Sequence, residues 1–311
     1  MVRIKIQKPS IILTSAGRTG TLFFSKLFES SVDNIDSFHM PDKLMNLSEI
    51  SAWKKQIEYF GLYNITVARI RGKYGIRFLS DQALARSKEQ AYIVDALFKH
   101  RYRFLSKLPH TYYAECNPTF YGLIPYINLV WERAVIIYIV RNGYDWIRSH
   151  MNWGQWYKER KCMSPLTRRI NPTFFLNDPH KEEWDSFDRF KKLCWAWNKL
   201  NSIILEDLHS LQNARLFRFE DLFKKQTNHE DLIDLIEFAT SGFSSNDVHI
   251  GKAKALVNQK INSNINTGFP ERKFWTTEMH RFFNKNCGEL MLRLRYPLDG
   301  DARNELEDYE Q

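Results

Sequence analysis

Short runs of apolar, often β-branched residues recur at wide intervals along the chain, at 11–15, 34–38, 111–114, 134–140 and 215–219. Between them, apolar residues return every three or four positions, the period of a half-buried helix, as in 21–30, 81–105 and 187–208. Strands alternating with helices predict an α/β fold whose parallel sheet is covered on both faces. The run at 134–140, AVIIYIV, is continuous and β-branched, as a central strand of such a sheet is. Ligands of these sheets bind where strands end and turn into helix. That rule singles out positions 17–21, His39, 115–118, 141–143 and 220–221.

The first of these turns carries the most chemistry. Residues 10–29, SIILTSAGRTGTLFFSKLFE, read as a strand, a tight turn and an amphipathic helix. Gly17 and Gly20 permit the backbone angles at which amide N–H groups converge, and the following helix adds its positive end. Arg18 contributes a fixed charge, and Thr19 and Thr21 contribute hydroxyl donors. The expected occupant is a phosphate-like or sulfate-like anion. A nucleotide-triphosphate loop would place Lys directly after the second glycine. Here Thr21 stands there, and the first Lys is Lys26, inside the helix.

A second anion grip is predicted at the end of the 134–140 strand. Arg141 stands at its carboxyl end, Asn142, Gly143 and Asp145 supply turn and helix-start chemistry, and Ser149 follows one to two turns into the helix. An Arg fork and a Ser hydroxyl can hold one tetrahedral anion from two sides. His150, beside Ser149, is expected to pack.

Composition narrows the function classes. The chain has 311 residues, 43% of them hydrophobic, enough for a substantial core. Its net charge of +9 favours anionic ligands without choosing among them. Nine Trp residues suggest stacking surfaces or an aromatic-lined pocket. Cys116, Cys162, Cys194 and Cys287 are scattered, without metal-ligand spacing, as reduced thiols are. No membrane-length apolar run and no signal peptide are present, so a cytoplasmic location is expected. Segment 152–185, rich in Trp, Phe, Pro and basic residues, reads as a lid or binding loop. Residues 299–311 form an acidic tail.

Two anion motifs at two strand ends closely resemble those of the sulfotransferases that use 3′-phosphoadenosine 5′-phosphosulfate (PAPS). The family's G-R-[ST]-G-T turn is matched by Gly17, Arg18, Thr19, Gly20 and Thr21. Its Arg with a Ser eight positions later is matched by Arg141 and Ser149. Phe219-Glu220-Asp221-Leu222 is similar to its [YF]-E-D-L, and 262–296 resembles its C-terminal region. The resemblance implies a three-layer, P-loop-NTPase-like fold with a central parallel sheet over residues 1–298. It also implies that the insertions 42–109 and 152–185 form the acceptor pocket. Gly17, Arg18, Thr19, Gly20, Thr21 and Leu22 would hold the 5′-phosphosulfate, and Arg141 and Ser149 the 3′-phosphate. The product would be adenosine 3′,5′-bisphosphate (PAP), with no metal required, no nucleic-acid partner and a small-molecule or glycan-type acceptor.

In-line sulfuryl transfer needs alignment, charge on the leaving oxygens and a base for the acceptor's proton. Arg18 fits the second role. For the base, His39 and Glu115 both stand at strand ends. Glu115 lies in a turn similar to the family's E-K-[ST]-P, but Cys116 occupies the place of the Lys. A nucleotide-dependent kinase and a basic polyanion-binding module are the alternative readings.

Overall fold

The computed structural model describes residues 4–43, 50–68, 70–157, 169–223, 229–257 and 268–298. The expectations for Cys162, the middle of segment 152–185, positions 262–267 and the acidic tail lie outside these residues.

Five strands form one parallel sheet: β1 (Ser10–Ser15), β2 (Ile35–His39), β3 (Tyr112–Cys116), β4 (Ala134–Val140) and β5 (Ala214–Arg218). Their spatial order is β2-β3-β1-β4-β5, so β1 lies at the centre, hydrogen-bonded to β3 on one side and β4 on the other. All five coincide with the apolar runs to within a residue or two. β1 is buried at every position and β4 at all but one, which is why both read as continuous apolar runs rather than alternating ones.

Alternation of side chains sorts each strand between two layers. Ile11, Leu13, Ala114, Cys116, Ile137 and Ile139 point to the face covered by α1 (Thr21–Ser31) and, further on, α9 (Glu230–Ala239) and α10 (Ile250–Val257). Ile12, Tyr113 and Ile136 point to the opposite face. There α2 (Ile50–Phe60), α3 (Ile76–Leu84), α4 (Gln90–Leu105) and α5 (Ile124–Val130) cover the β3 side. Along β4 the same face, through Tyr138 and Val140, packs on α6 (Gly143–Trp153), α7 (Arg189–His209) and α11 (Thr277–Arg293). The short α8 (Phe219–Leu222) follows β5 directly. The result is the expected three-layer α/β arrangement.

Local chemistry sets the helix ends. Asn142 caps α6 by accepting from Tyr144 N at 2.9 Å, and Gly154, at φ 68°, ends it. Asp188 caps α7 through Lys191 N at 2.8 Å, starting it two residues later than the apolar pattern begins. The helix expected over 81–105 is two, α3 and α4, separated by a reversal in which Arg86 takes a left-handed φ of 47°. Contact on one side of the break fixes it: Tyr121 Oη donates to Asp81 at 2.6 Å, and a Cβ on Gly122 would lie 2.5 Å from the Ser80 carbonyl. α3 is thereby held against the segment after β3, while α4 runs on in its own direction. Among the described residues no helix is long and apolar enough to cross a membrane.

Candidate functional site

The turn between β1 and α1 sits at the carboxyl end of the central strand. Gly17 and Gly20 have φ of 90° and 73°, and Arg18 between them is left-handed at 57°. For a side-chain-bearing residue that conformation costs roughly 1–2 kcal/mol, so something must hold it. Two bonds do: the Arg18 carbonyl accepts from Arg141 Nη1 at 2.8 Å, and Arg18 Nε donates to Ser149 Oγ at 3.0 Å. Trp146 Nε1 donates to the Gly17 carbonyl at 2.8 Å, tying the turn to α6.

Gly17 N–H donates to Ser15 Oγ at 3.0 Å, so it is not part of the cradle. The next six amides differ. Among the described residues, no N–H of residues 18–23 donates to a protein acceptor, and Gly20, the N-cap of α1, offers no side chain to cap them. This is a preformed nest of donors at the positive end of an eleven-residue helix. Around it, Thr19 Oγ1 and Arg141 Nε are buried and have no partner among the described residues. Burial, followed by the charge of Arg141, lowers the pKa of Arg18. Burial also lowers that of Arg141, against Asp145 and Glu220. Two guanidiniums held this close gain most from an anion between them.

Arg18 also lies over the Trp153 ring, 5.0 Å from its centroid, and Arg141 over Phe219 at 4.9 Å. The β4 turn is braced from behind. Trp197 Nε1 donates to the Arg141 carbonyl at 3.0 Å, and Glu220 accepts from Asn142 N at 2.9 Å and from Tyr296 Oη at 2.7 Å. The sequence marked Glu220 by its place at a strand end and by the [YF]-E-D-L likeness; the geometry makes it a brace for the turn. Next to the Arg141 turn, Asn142, Tyr144, Asp145, Arg148, Glu271, Arg272 and Lys273 line a cleft of about 340 Å3, with Glu271 paired to Arg148 at 3.6 Å and to Lys273 at 3.5 Å. Of these, Asn142 and Asp145 were marked by the sequence as turn and helix-start residues, and 271–273 fell in the segment likened to the family's C-terminal region; Arg148 was given no role there.

The structure thus brings together Arg18, Arg141, Ser149 and the 18–23 amides, with Ser149 bonded to Arg18 rather than to Arg141. It also brings His39, the last residue of β2, to the same turn: Nε2 lies 3.0 Å from Thr21 Oγ1. His39 shares parity with Ile35 and Ser37, which face α1, so it points across the start of that helix. Burial, with a smaller contribution from Lys43, lowers its pKa to about 4, so the ring is neutral near pH 7.

Glu115 is not brought there. It shares parity with Tyr113 on the opposite face of the sheet, against α4, and is fully buried. Its carboxylate receives Arg101 through both Nε, at 2.7 Å, and Nη2, with Tyr113 Oη at 2.7 Å and Asn117 Nδ2 at 2.8 Å. Every lone pair has a donor, which leaves no way to take a proton from a ligand. Burial opposes the charge on Arg101, but Glu115 and Asp42 more than offset it and raise its pKa. Cys116, on the α1 face beside His39, is fully buried, and burial followed by the Glu115 charge pushes its thiol well up.

No family model matches the chain, and neither does any curated protein. Among solved structures, one similar chain is the sulfotransferase domain from the curacin biosynthetic pathway, at 14% identity, covering 99% of this chain and 99% of that one, with a TM-score of 0.44. Another is the sulfotransferase domain from the Synechococcus PCC 7002 olefin synthase, at 12% identity, covering 99% of this chain and 96% of that one, with a TM-score of 0.43.

Proposed function

We propose that the protein is a PAPS-dependent sulfotransferase acting on a hydroxyl or amine of a small-molecule or glycan-type acceptor. The observation that carries this reading is the paired anion site: six open amides and Arg18 at one strand end, linked by a hydrogen bond to Arg141 at the next. The unpartnered Thr19 Oγ1 and Arg141 Nε fit a ligand that brings oxyanions to both ends.

The bound donor supplies an activated sulfuryl group on a 5′-phosphate. The 18–23 amides and Arg18 orient that end and meet the charge that builds on the leaving oxygen. Arg141, with the basic cleft lined by Arg148, Arg272 and Lys273, takes the 3′-phosphate end. His39, neutral and held by Thr21 at the edge of the turn, accepts the acceptor's proton as the new bond forms. Trp153 stands under Arg18 and offers an aromatic face to an acceptor. Glu115 belongs to the scaffold in this scheme.

Calorimetric titration with PAP, without metal, tests the reading. Wild type is expected to bind, and Arg141→Ala to bind about 10–150-fold more weakly, the worth of a charge-assisted contact of roughly 1.5–3 kcal/mol. No binding by wild type, or binding only of ATP with magnesium, would refute it.

A further inference from the structure

His150 is only 1% exposed, yet among the described residues neither ring nitrogen has a hydrogen-bond partner. It follows Ser149 on α6, and its ring is enclosed by indoles, with centroids 3.9 Å from Trp146, 4.6 Å from Trp156 and 5.7 Å from Trp153. Ring faces are weak acceptors for an N–H. A side chain that only fills this space would be better served by Phe or Leu, since each unmet polar atom in such a site is costly. The imidazole is also aimed: Nε2 lies 3.8 Å from where a Cβ on Gly17 would sit. It therefore approaches the turn at the glycine whose carbonyl is held by the adjacent Trp146. Arg18 and Arg141 flank the same turn.

Burial, then the charges of Arg18, Arg189, Arg141 and Arg169, lower the His150 pKa well below its ordinary value. A neutral imidazole carries one N–H and one lone pair. Of the four arginines, Arg189 is occupied by the carbonyls of His150, Met151 and Trp156. The leading charges acting on the ring are all positive, a field suited to a multiply charged anion.

We propose that His150 is a ligand-binding residue of the turn, donating from Nε2–H to an oxygen of the oxyanion seated on the 18–23 amides. It supplies a fixed, uncharged donor at the Gly17 edge. Gly17, at a φ of 90°, brings the backbone close to this donor without a side chain. The inference rests on the reading of this turn as the seat of the donor's 5′-phosphosulfate.

The test titrates wild type, His150→Phe and His150→Gln with two probes, PAP and inorganic pyrophosphate, and follows thermal unfolding of each protein. Phe keeps the ring packing and Gln keeps an N–H. The expected result is an affinity at least tenfold lower in His150→Phe for both probes, mostly recovered in His150→Gln, with both variants melting near wild type. Equal binding by all three proteins, or equal loss in both variants, overturns the inference and leaves the donor reading standing. Binding of pyrophosphate alone, with the same dependence on His150, supports the inference and refutes the donor reading. Failure of wild type to bind either probe overturns both. Nitrogen-15 spectra of the wild-type imidazole give an answer without substitution: pyrophosphate is expected to shift the Nε2 resonance, and an unchanged spectrum at saturation overturns the proposal.

Discussion

Replacing Glu115 with Ala separates a scaffold carboxylate from a catalytic one. In the folded protein its two oxygens receive four donors from Arg101, Tyr113 and Asn117, all within a fully buried site. Removal leaves the Arg101 guanidinium, which is 0% exposed, with Asp42 at 3.5 Å as its remaining carboxylate and His100 Nδ1 at 2.6 Å, and leaves Tyr113 Oη and Asn117 Nδ2 without their acceptor. Breaking one side of such a buried pair costs about 3–5 kcal/mol. A chain of 311 residues unfolds with an entropy of about 0.65 kcal/mol/K, at roughly 2.1 cal/mol/K per residue. The midpoint should therefore fall by about 5–8 °C, read by differential scanning calorimetry. Below the transition, PAP binding and turnover should stay within about twofold of wild type, because Glu115 faces α4 and the anion turn faces α1. A variant that melts with wild type but has lost turnover would return Glu115 to the list of candidate bases and refute the reasoning from side-chain parity.

Two further outcomes follow from the anion turn. His39 is neutral in the folded protein down to about pH 4, whereas an unfolded imidazole takes its proton near 6.5. The acidic limb of kcat/KM, which reports the free enzyme, should lie near pH 4, and the limb of kcat should lie higher because a bound anionic donor favours the imidazolium. By the same linkage, His39 contributes stability that is complete above about 6.5 and is lost as pH falls towards 4. His39→Ala should abolish turnover, spare PAP binding and remove that part of the stability profile. Gly20→Ala places a Cβ 3.5 Å from Phe219, an ordinary contact, so its cost is the left-handed backbone alone, about 1–2 kcal/mol. The midpoint should fall by about 1.5–3 °C, at the same unfolding entropy, while Gly242→Ala, with open space around it, should change nothing.

The strands were legible because burial on both faces removes the polar half of the alternation, leaving runs such as AVIIYIV that no loop would carry. The anion turn was legible because two glycines bracket an arginine between a strand and a helix. The break between α3 and α4 was not, since Arg86 takes its left-handed conformation with no glycine or proline to announce it. Glu115 looked like His39 in the sequence, as both are polar residues at strand ends. Only the strand register, pairing Phe38 with Glu115 and His39 with Cys116, puts them on opposite faces. Its partner Arg101 lies in a helix whose apolar spacing gave no reason to expect a buried charge. Arg148 and the basic pair at 272–273 converge from distant segments, a proximity that sequence spacing does not encode.

The placement of β1 has a consequence for how the chain is made. It leaves the ribosome first, yet its neighbours in the sheet are β3 and β4, which end at Cys116 and Val140, while the strand that follows it, β2, pairs elsewhere. At roughly 5–20 residues per second, about 6–25 s of synthesis separate β1 from its second partner. Until β3 and then β4 emerge, a strand destined to be wholly buried has α1 against one face and both of its hydrogen-bonding edges open. The central strand that presents the anion turn is thus also the stretch of nascent chain with the longest wait for its partners, and the one where a holding chaperone would do the most for the yield of folded protein.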